Sequence, residues 1–264
     1  MNPTLNIAVK AARAAGRIVM RASEQLDRIQ IEEKGHQDFV TNIDKQAEQE
    51  IINIIHSAYP THSFLGEENG AIGDHNHQWI IDPIDGTANF IRGLPHFSIS
   101  IALTIDGRIE HGVIYDPVRD ELFTASRGQG AKMNDRRLRV SPLIKLNQAT
   151  LATGIPFKRP KKLPQYSQCL SHLLPQITDI RRGGSAALDL AYVAAGRVDG
   201  YWEIGLGPWD IAAGLLLVQE AGGLYSDFSG GNQCFDRGEV IAANPKLFKQ
   251  LLQQVGPAFQ DPAR

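Results

Sequence analysis

The stretch Trp79-Ile80-Ile81-Asp82-Pro83-Ile84-Asp85-Gly86-Thr87-Ala88-Asn89-Phe90 decides how this chain is read. Its apolar opening has the composition of a buried strand, and it ends in two carboxylates three positions apart. Proline at 83 has no N–H to give to a sheet ladder, so the strand is expected to stop there and the chain to turn. The turn lets Asp82 and Asp85 face one small volume at the strand's carboxyl end. Two acids beside the Gly86 backbone and the Thr87 hydroxyl suit a hard divalent cation that in turn holds a phosphate. Taken alone, Pro-x-Asp-Gly is equally the chemistry of an ordinary surface turn.

Two other segments separate these readings. Upstream, Ser63-Phe64-Leu65-Gly66-Glu67-Glu68 is a second short apolar run ending in acids. Downstream, Gly205-Leu206-Gly207-Pro208-Trp209-Asp210-Ile211-Ala212-Ala213-Gly214 places an acid in the first turn of a helix. A single acid at either kind of position is usually a solvated cap. In the order Gly-Glu-Glu, Asp-Pro-Ile-Asp-Gly-Thr and Pro-Trp-Asp, the three segments resemble the inositol monophosphatase family of magnesium-dependent, lithium-sensitive phosphatases, and within it the bacterial SuhB subgroup. The resemblance runs nearly end to end. It extends from Asp38-Phe39-Val40-Thr41-Asn42-Ile43-Asp44 through Gly183-Gly184-Ser185-Ala186-Ala187 to Glu220-Ala221-Gly222-Gly223.

Composition sets outer bounds. With 264 residues, 42% hydrophobic and 21% charged, the chain has an ordinary globular balance and enough length for one large compact unit. A formal net charge of -2 argues against nucleic-acid affinity driven by bulk charge. Cys169 and Cys234 are too few and too far apart for a disulfide framework or a zinc site, and read as small apolar filler. The N-terminal segment lacks the basic and apolar pattern of a signal peptide, and no stretch approaches the ~18 apolar residues of a membrane span. A cytoplasmic location is expected.

Helical spacing covers residues 4–23 and again 43–58, where Tyr59-Pro60 stops it. The polar segment Glu32–Asp38 between them reads as a loop. Phe97–Ile105 and Ile109–Tyr115 flank Asp106-Gly107, a strong hairpin signal, and a further strand follows at Glu121–Ala125. The first part therefore reads as paired helices over an antiparallel sheet. Lys158–Pro164 is a Pro/Lys-rich connection and a candidate lobe boundary. Beyond it come a helix near 165–174, a strand near 178–181 and a helix capped by Ser185 and closed by Gly196. One more helix opens at Pro208, and the last begins at Asn244-Pro245. Periodicity alone supports a mixed α and β protein. The resemblance implies the α+β class and a layered αβαβα sandwich, one domain over residues 1–264 with lobes of approximately 1–145 and 146–264.

What the resemblance implies for the site is specific. The metal ligands fall on Glu67, Asp82, the backbone carbonyl of Ile84, Asp85 and Asp210, with Mg2+ as the ion. Magnesium prefers oxygen ligands and readily accepts phosphate oxygens, and paired ions can clamp the attacking and leaving oxygens of an in-line displacement. The implied reaction is hydrolysis of inositol 1-phosphate and related small phosphomonoesters by direct attack of a metal-activated water. Glu67, Asp44 and Thr87 are the implied catalytic residues. Gly86, Thr87 and Ala88 meet the phosphate, and Gly184, Ser185, Ala186, Glu203 and Asp210 meet the rest of the substrate. Most relatives have a second threonine where this chain has Ala88, which still offers an N–H. On capping preference alone Asp44 reads as the start of the helix that follows, and on alternation alone Glu203 reads as a solvent-facing strand residue. Lys34 matches a family lysine near the metals, with different loop spacing. His75-Asn76-His77 invites a zinc reading, but no partner motif accompanies it, and a solvated loop is expected.

Asp82-x-x-Asp85 is not the Asp-x-Asp of phosphatases that work through an aspartyl phosphate, and no Gly-x-Gly-x-x-Gly, Walker loop or Gly-x-Ser-x-Gly is present. Within the superfamily, nucleotide 3′-phosphatase and fructose bisphosphatase activities share the metal motif. The expected partners are a small phosphomonoester, a second copy of the chain in a homodimer and no membrane. The subgroup's association with the RNA polymerase antitermination machinery implies an alternative role as a binding protein. Arg181-Arg182 and Arg136-Arg137-Leu138-Arg139 offer contact groups for such partners, Arg182 by reaching an exposed or subunit-facing surface, against the plainer reading of a solvated basic face.

Overall fold

The computed structural model describes residues 2–35 and 38–259. Two helices open the chain, α1 (Pro3–Ser23) and α2 (Asn42–Ala58), joined through a hairpin of β1 (Ile31–Gly35) and β2 (Asp38–Thr41). The segment expected to be a loop is thus largely strand, with Ile31 opposite Thr41 and Glu33 opposite Phe39. Backbone pairing satisfies its N–H and C=O groups even though its composition is polar. His36 and Gln37 lie outside the described residues, as does the side chain of Lys34, so the family lysine position is not described.

The larger sheet contains β3 (Ser63–Gly66), β4 (Gly70–Ile72), β5 (His77–Asp85), β6 (Ser98–Ile105), β7 (Arg108–Asp116), β8 (Glu121–Ser126), β9 (Gly130–Met133) and β10 (Arg136–Arg137). Its spatial order is β10-β9-β8-β7-β6-β5-β3-β4. It is mixed rather than purely antiparallel, because β3 runs parallel to β5. The Asp106-Gly107 hairpin forms as expected, with both turn residues at positive φ. A short helix, α3 (Thr87–Ile91), follows β5.

The smaller sheet contains β11 (Thr150–Thr153), β12 (Asp179–Arg181), β13 (Gly200–Ile204), β14 (Leu224–Ser226) and β15 (Glu239–Ala243), in the order β12-β11-β13-β15-β14. The remaining helices are α4 (Leu163–Leu173), α5 (Ala186–Ala194), α6 (Pro208–Glu220), α7 (Cys234–Arg237) and α8 (Pro245–Phe259). Lys158–Pro164 follows β11, which already belongs to the smaller sheet, so this segment does not separate the two sheets.

The layers are α1/α2, the larger sheet, α5/α6, the smaller sheet, and α4/α8. This is an αβαβα sandwich. Both sheets are covered on both faces, which is why their central strands are apolar runs rather than alternating patterns. Neighbouring residues go to different cores. Ile81 packs with Ile51 and Ile55 of α2, while Ile80 faces Leu188 of α5 and Leu216 of α6. Tyr201 likewise faces α5 and α6, and Trp202 joins Tyr166, Leu173 and Leu247 in the third core. Residues Ile211–Val218 of α6 are buried on every side, as expected of a helix held between two sheets. Both cysteines are buried in these cores, and burial pushes each thiol up to about 12. Ile81 is fully buried between α2 and the sheet. We expect Ile81→Ala to destabilise the fold by about 2–5 kcal/mol through lost burial and the cavity left behind, read as a lower urea midpoint at an unchanged slope.

Candidate active site

Residues i and i+3 of a regular strand point to opposite faces. Asp82 and Asp85 nevertheless point the same way, because β5 does not stop at Pro83 but bulges there. Asp82 lies opposite Ser100 and Asp85 opposite Ser98, so Pro83 and Ile84 together face the single residue Ile99. The extra residue reverses the alternation and brings both carboxylates to the side of Ser98 and Ser100. A bulge leaves a residue outside the ladder and so tolerates a proline without an N–H, and the Ile84 N–H donates to Asp82 Oδ1 at 3.0 Å. The parallel register Gly66 to Ile81 then sets Glu67 alongside Asp82.

Asp85 is buried and anchors the start of α5 in the next layer. It accepts a short hydrogen bond from the Ser185 hydroxyl, and the N–H groups of Ala187 and Ala186 donate to it at 2.8 and 3.3 Å. Ser185 also caps α5, accepting from the Leu188 N–H at 3.4 Å. Gly184, Ser185 and Ala186 all line the cavity, but the Ser185 hydroxyl and the Ala186 N–H are directed at Asp85. Gly86 has φ 97°, and a Cβ there would lie 3.1 Å from the carbonyls of Gly184 and His96. Only glycine lets the turn pass this close to its neighbours.

The two readings of Asp44 turn out to be simultaneous. Its Oδ2 accepts the Thr41 N–H at 2.8 Å in a capping box at the start of α2, while its Oδ1 lies 3.1 Å from the Thr87 hydroxyl. The same hydroxyl lies 2.9 Å from the Ile84 carbonyl. With one proton, Thr87 donates to one of these at a time. Asp210 also caps its own helix, accepting the Gly207 N–H at 2.6 Å. Tyr201 donates its hydroxyl to Glu203 Oε2 at 2.7 Å, and Glu203 faces the cavity rather than bulk solvent.

Oxygen atoms of Asp82, Asp85 and Asp210 lie within 4.8 Å of one another and form a group able to hold a metal ion. Glu67, Ile84, Gly86, Thr87, Ala88, Glu203 and Asp210 line the same cavity, and Asp44 stands behind Thr87. The same cavity also has basic lining, from Lys158, Arg159 and Arg182 with Phe157. The Arg182 guanidinium lies 5.5 Å from the Phe157 ring centre, so the arginine expected to reach a partner surface stands exposed at the cavity rim. Lys158 and Arg159 were not legible as site residues, since a Pro/Lys-rich connection gives no periodic signal.

Among the described residues, the group able to hold a metal is made of acids and includes none of the histidines. His62, absent from the sequence reading, stacks with His75 at a ring separation of 5.7 Å and lies tilted against His77 at 4.8 Å. His62 Nδ1 accepts from Trp79 Nε1, and His75 Nδ1 accepts from the His77 N–H, which occupies both lone pairs.

The acids raise one another. Asp82 is pushed well above the usual carboxylate range by burial, then by Glu67, Asp85 and Asp210. Burial lifts Asp85 to about 6 against the Ser185 bond, and burial with the Asp85 charge lifts Asp210 to about 7. Glu203 rises to about 7 through burial, opposed by the Tyr201 bond. An all-oxygen donor set whose members destabilise one another when ionised fits a hard divalent cation.

A layered fold with acids converging from two strand ends and a helix start defines a metal-dependent phosphatase class. The sequence places it further: residues 1–258 match the inositol monophosphatase family, and the chain belongs to that family. It is 52% identical over 263 residues to Nus factor SuhB of Escherichia coli K12, covering 99% of this chain and 98% of that protein. Among solved structures it is similar to the extragenic suppressor protein suhB of Bartonella henselae, with a TM-score of 0.94 and 45% identity over 96% of this chain and 98% of that one. It is also similar to inositol monophosphatase from Anabaena, with a TM-score of 0.85 and 39% identity over 95% and 94% of the two chains. Among the described residues, no helix is long and apolar enough to cross a membrane.

The raised acids carry a stability signature. A carboxyl whose folded pKa exceeds its unfolded value binds more protons in the folded state, so its contribution is present below about pH 4 and lost as pH rises through the folded value. For Asp85, Asp210 and Glu203 that window ends near pH 6 to 7. In excess chelator, we expect the melting temperature to carry a falling component between pH 4 and 8, and millimolar magnesium to restore it most at the upper end. Thermal melts across that range, with and without magnesium, measure both.

Proposed function

We propose that this chain is a magnesium-dependent phosphomonoesterase acting on inositol 1-phosphate and related small phosphomonoesters. The observation that carries the proposal is the convergence of Asp82, Asp85 and Asp210 within 4.8 Å at the floor of a cavity that Glu67, Thr87 and Glu203 also line. Magnesium, held by Glu67, Asp82, Asp85, Asp210 and the Ile84 carbonyl, would neutralise these acids, lower the pKa of water and accept phosphate oxygens. Lithium is expected to inhibit by taking one cation position.

The chain's own groups supply orientation and proton transfer. Glu67 takes the proton of the attacking water. Thr87, oriented by Asp44 Oδ1, holds that water in line with the phosphorus, and the Asp44 carboxylate is itself fixed by the Thr41 N–H. The turn at Gly86, Thr87 and Ala88 presents N–H groups to the phosphate. Glu203, braced by Tyr201, and Asp210 receive substrate hydroxyls, with Gly184, Ser185 and Ala186 forming the facing edge. One domain spanning both sheets is the proposed unit, because the acids come from the larger sheet and from α6 while Glu203 comes from the smaller one.

Phosphate release from a panel of inositol phosphates, sugar bisphosphates and nucleotides, with magnesium or chelator, tests this reading. Asp85→Asn can keep its oxygen toward Ser185 and Ala187, so it is expected to remain folded and lose at least about 100-fold in turnover, the scale of removing one transition-state electrostatic contact. Full activity in excess chelator would falsify the metal mechanism, and acid-stable phosphate on the protein would point to a covalent acyl-phosphate route instead.

The name of the Escherichia coli relative, Nus factor SuhB, favours a second reading, in which the chain also serves transcription antitermination with the RNA polymerase machinery; for both roles the proposed form is a cytoplasmic homodimer. Both roles are compatible, since the acids lie inside the cavity and Arg136, Arg137, Arg139 and Arg181 are exposed. Asp85→Asn is expected to retain a polymerase-associated partner in pull-downs from cell lysate while losing phosphatase activity. Absence of any such partner from the wild type removes this second reading.

A further inference from the structure

Four residues beyond Asp44, on the same face of α2, stands a second acid that none of the chemistry above uses. Glu48 is fully buried, on a face otherwise formed by Ala47, Ile51 and Ile55. A carboxylate there needs donors, since an unpartnered buried acid is costly. It finds them in the turn that follows β3. Its Oε2 accepts the Glu68 N–H at 3.0 Å, and its Oε1 accepts the Asn69 N–H at 2.9 Å and the Asn69 side-chain amide at 2.7 Å. Gly66 completes the arrangement. A Cβ at that position would lie 2.5 Å from both carboxylate oxygens. The residue between Gly66 and Glu68 is Glu67.

We propose that Glu48 is a positioning residue for the cation site, gripping the β3–β4 turn from beneath so that Glu67 is presented to Asp82 in one fixed conformation. This rests on the functional reading given above, in which Glu67 is a metal ligand. The spacing makes α2 a strut: Asp44 fixes Thr87 beside the β5 turn, and Glu48, one helical turn further on, fixes the β3 turn. Two backbone segments that must meet at one ion are thus referenced to a single rigid helix. Outer groups of this kind commonly set metal affinity by orienting the direct ligands.

Glu48→Gln distinguishes positioning from space filling. Glutamine has the same shape, but its amide can accept at one end only and sets an N–H2 against a backbone N–H at the other. Glu48→Gln and Gly66→Ala, the latter pressing on the carboxylate from the opposite side, are compared with wild type in the full-length protein. Mn2+ binding is followed by electron paramagnetic resonance, folding by circular dichroism, and phosphate release at saturating Mn2+. Both variants are expected to fold and to bind Mn2+ about 10- to 100-fold more weakly, with KM for the phosphomonoester unchanged once the cation is saturating. Wild-type Mn2+ affinity in folded Glu48→Gln overturns the inference. Should that variant not fold, Gly66→Ala decides in the same way, and failure of both to fold also overturns it by making Glu48 a group on which the fold itself depends. A wild type that takes up no Mn2+ overturns the functional reading beneath, whereas tight binding by wild type and variants alike overturns this inference alone.

Discussion

Buried carboxylates repel one another, and the arrangement of this fold is dominated by the need to hold several at one point. Each is pinned by a backbone donor. Asp82 is held by the Ile84 N–H, Asp85 by the α5 N-terminus, Asp210 by the Gly207 N–H, and Asp44 by the Thr41 N–H. The Thr41 donor belongs to a capping box and the Gly207 donor is the N-cap N–H of α6, so the hydrogen bonds that begin α2 and α6 also fix the acids. Charge that would otherwise drive the segments apart is thereby tied to the least mobile parts of the chain. The surrounding apolar layers make that restraint strong, because hydrogen bonds to ionised groups gain strength where water is excluded.

The cavity above this floor joins two chemically opposite surfaces. Its acids come from the ends of β3 and β5 and the start of α6, whereas Lys158, Arg159 and Arg182 come from segments flanking β11 and β12. The proposed phosphomonoester would satisfy both, its phosphate drawing on cations of either origin while its hydroxyls meet Glu203. The Lys158 charge already lowers Glu203 and Asp210 against the effect of burial. The basic wall therefore tempers the acids as well as facing the substrate.

Much of this was legible in the sequence, and the exceptions have physical reasons. Helical periodicity located α1 and α2 to within a few residues, the Ser185 and Gly196 caps located α5, and Asp106-Gly107 marked its hairpin, since local rules govern those elements. The bulge in β5 was read as a stop at Pro83, because a missing N–H is compatible with either outcome and only the pairing with β6 selects between them. The polar strand β1 gave no hydrophobic signal, because what holds it to β2 is backbone pairing. Asp44 and Ser185 each posed a choice between cap and site, and the structure has them serve two partners at once. Glu48 had a readable signature, an acid set within the apolar arc of a helix, but its partners lie 20 residues away in a turn that no local pattern connects to it.

Asp85 does more than complete the acidic cluster. Through Ser185, Ala186 and Ala187 it fastens the larger sheet to the helix layer beneath, so a residue proposed to hold the metal is also a rivet between layers. A lineage that kept this protein only for its surface contacts would still need an oxygen acceptor at that position, because without one the stack would loosen. Survival of an acceptor there in a relative is therefore a record of architecture, and by itself says little about whether that relative still turns over a substrate.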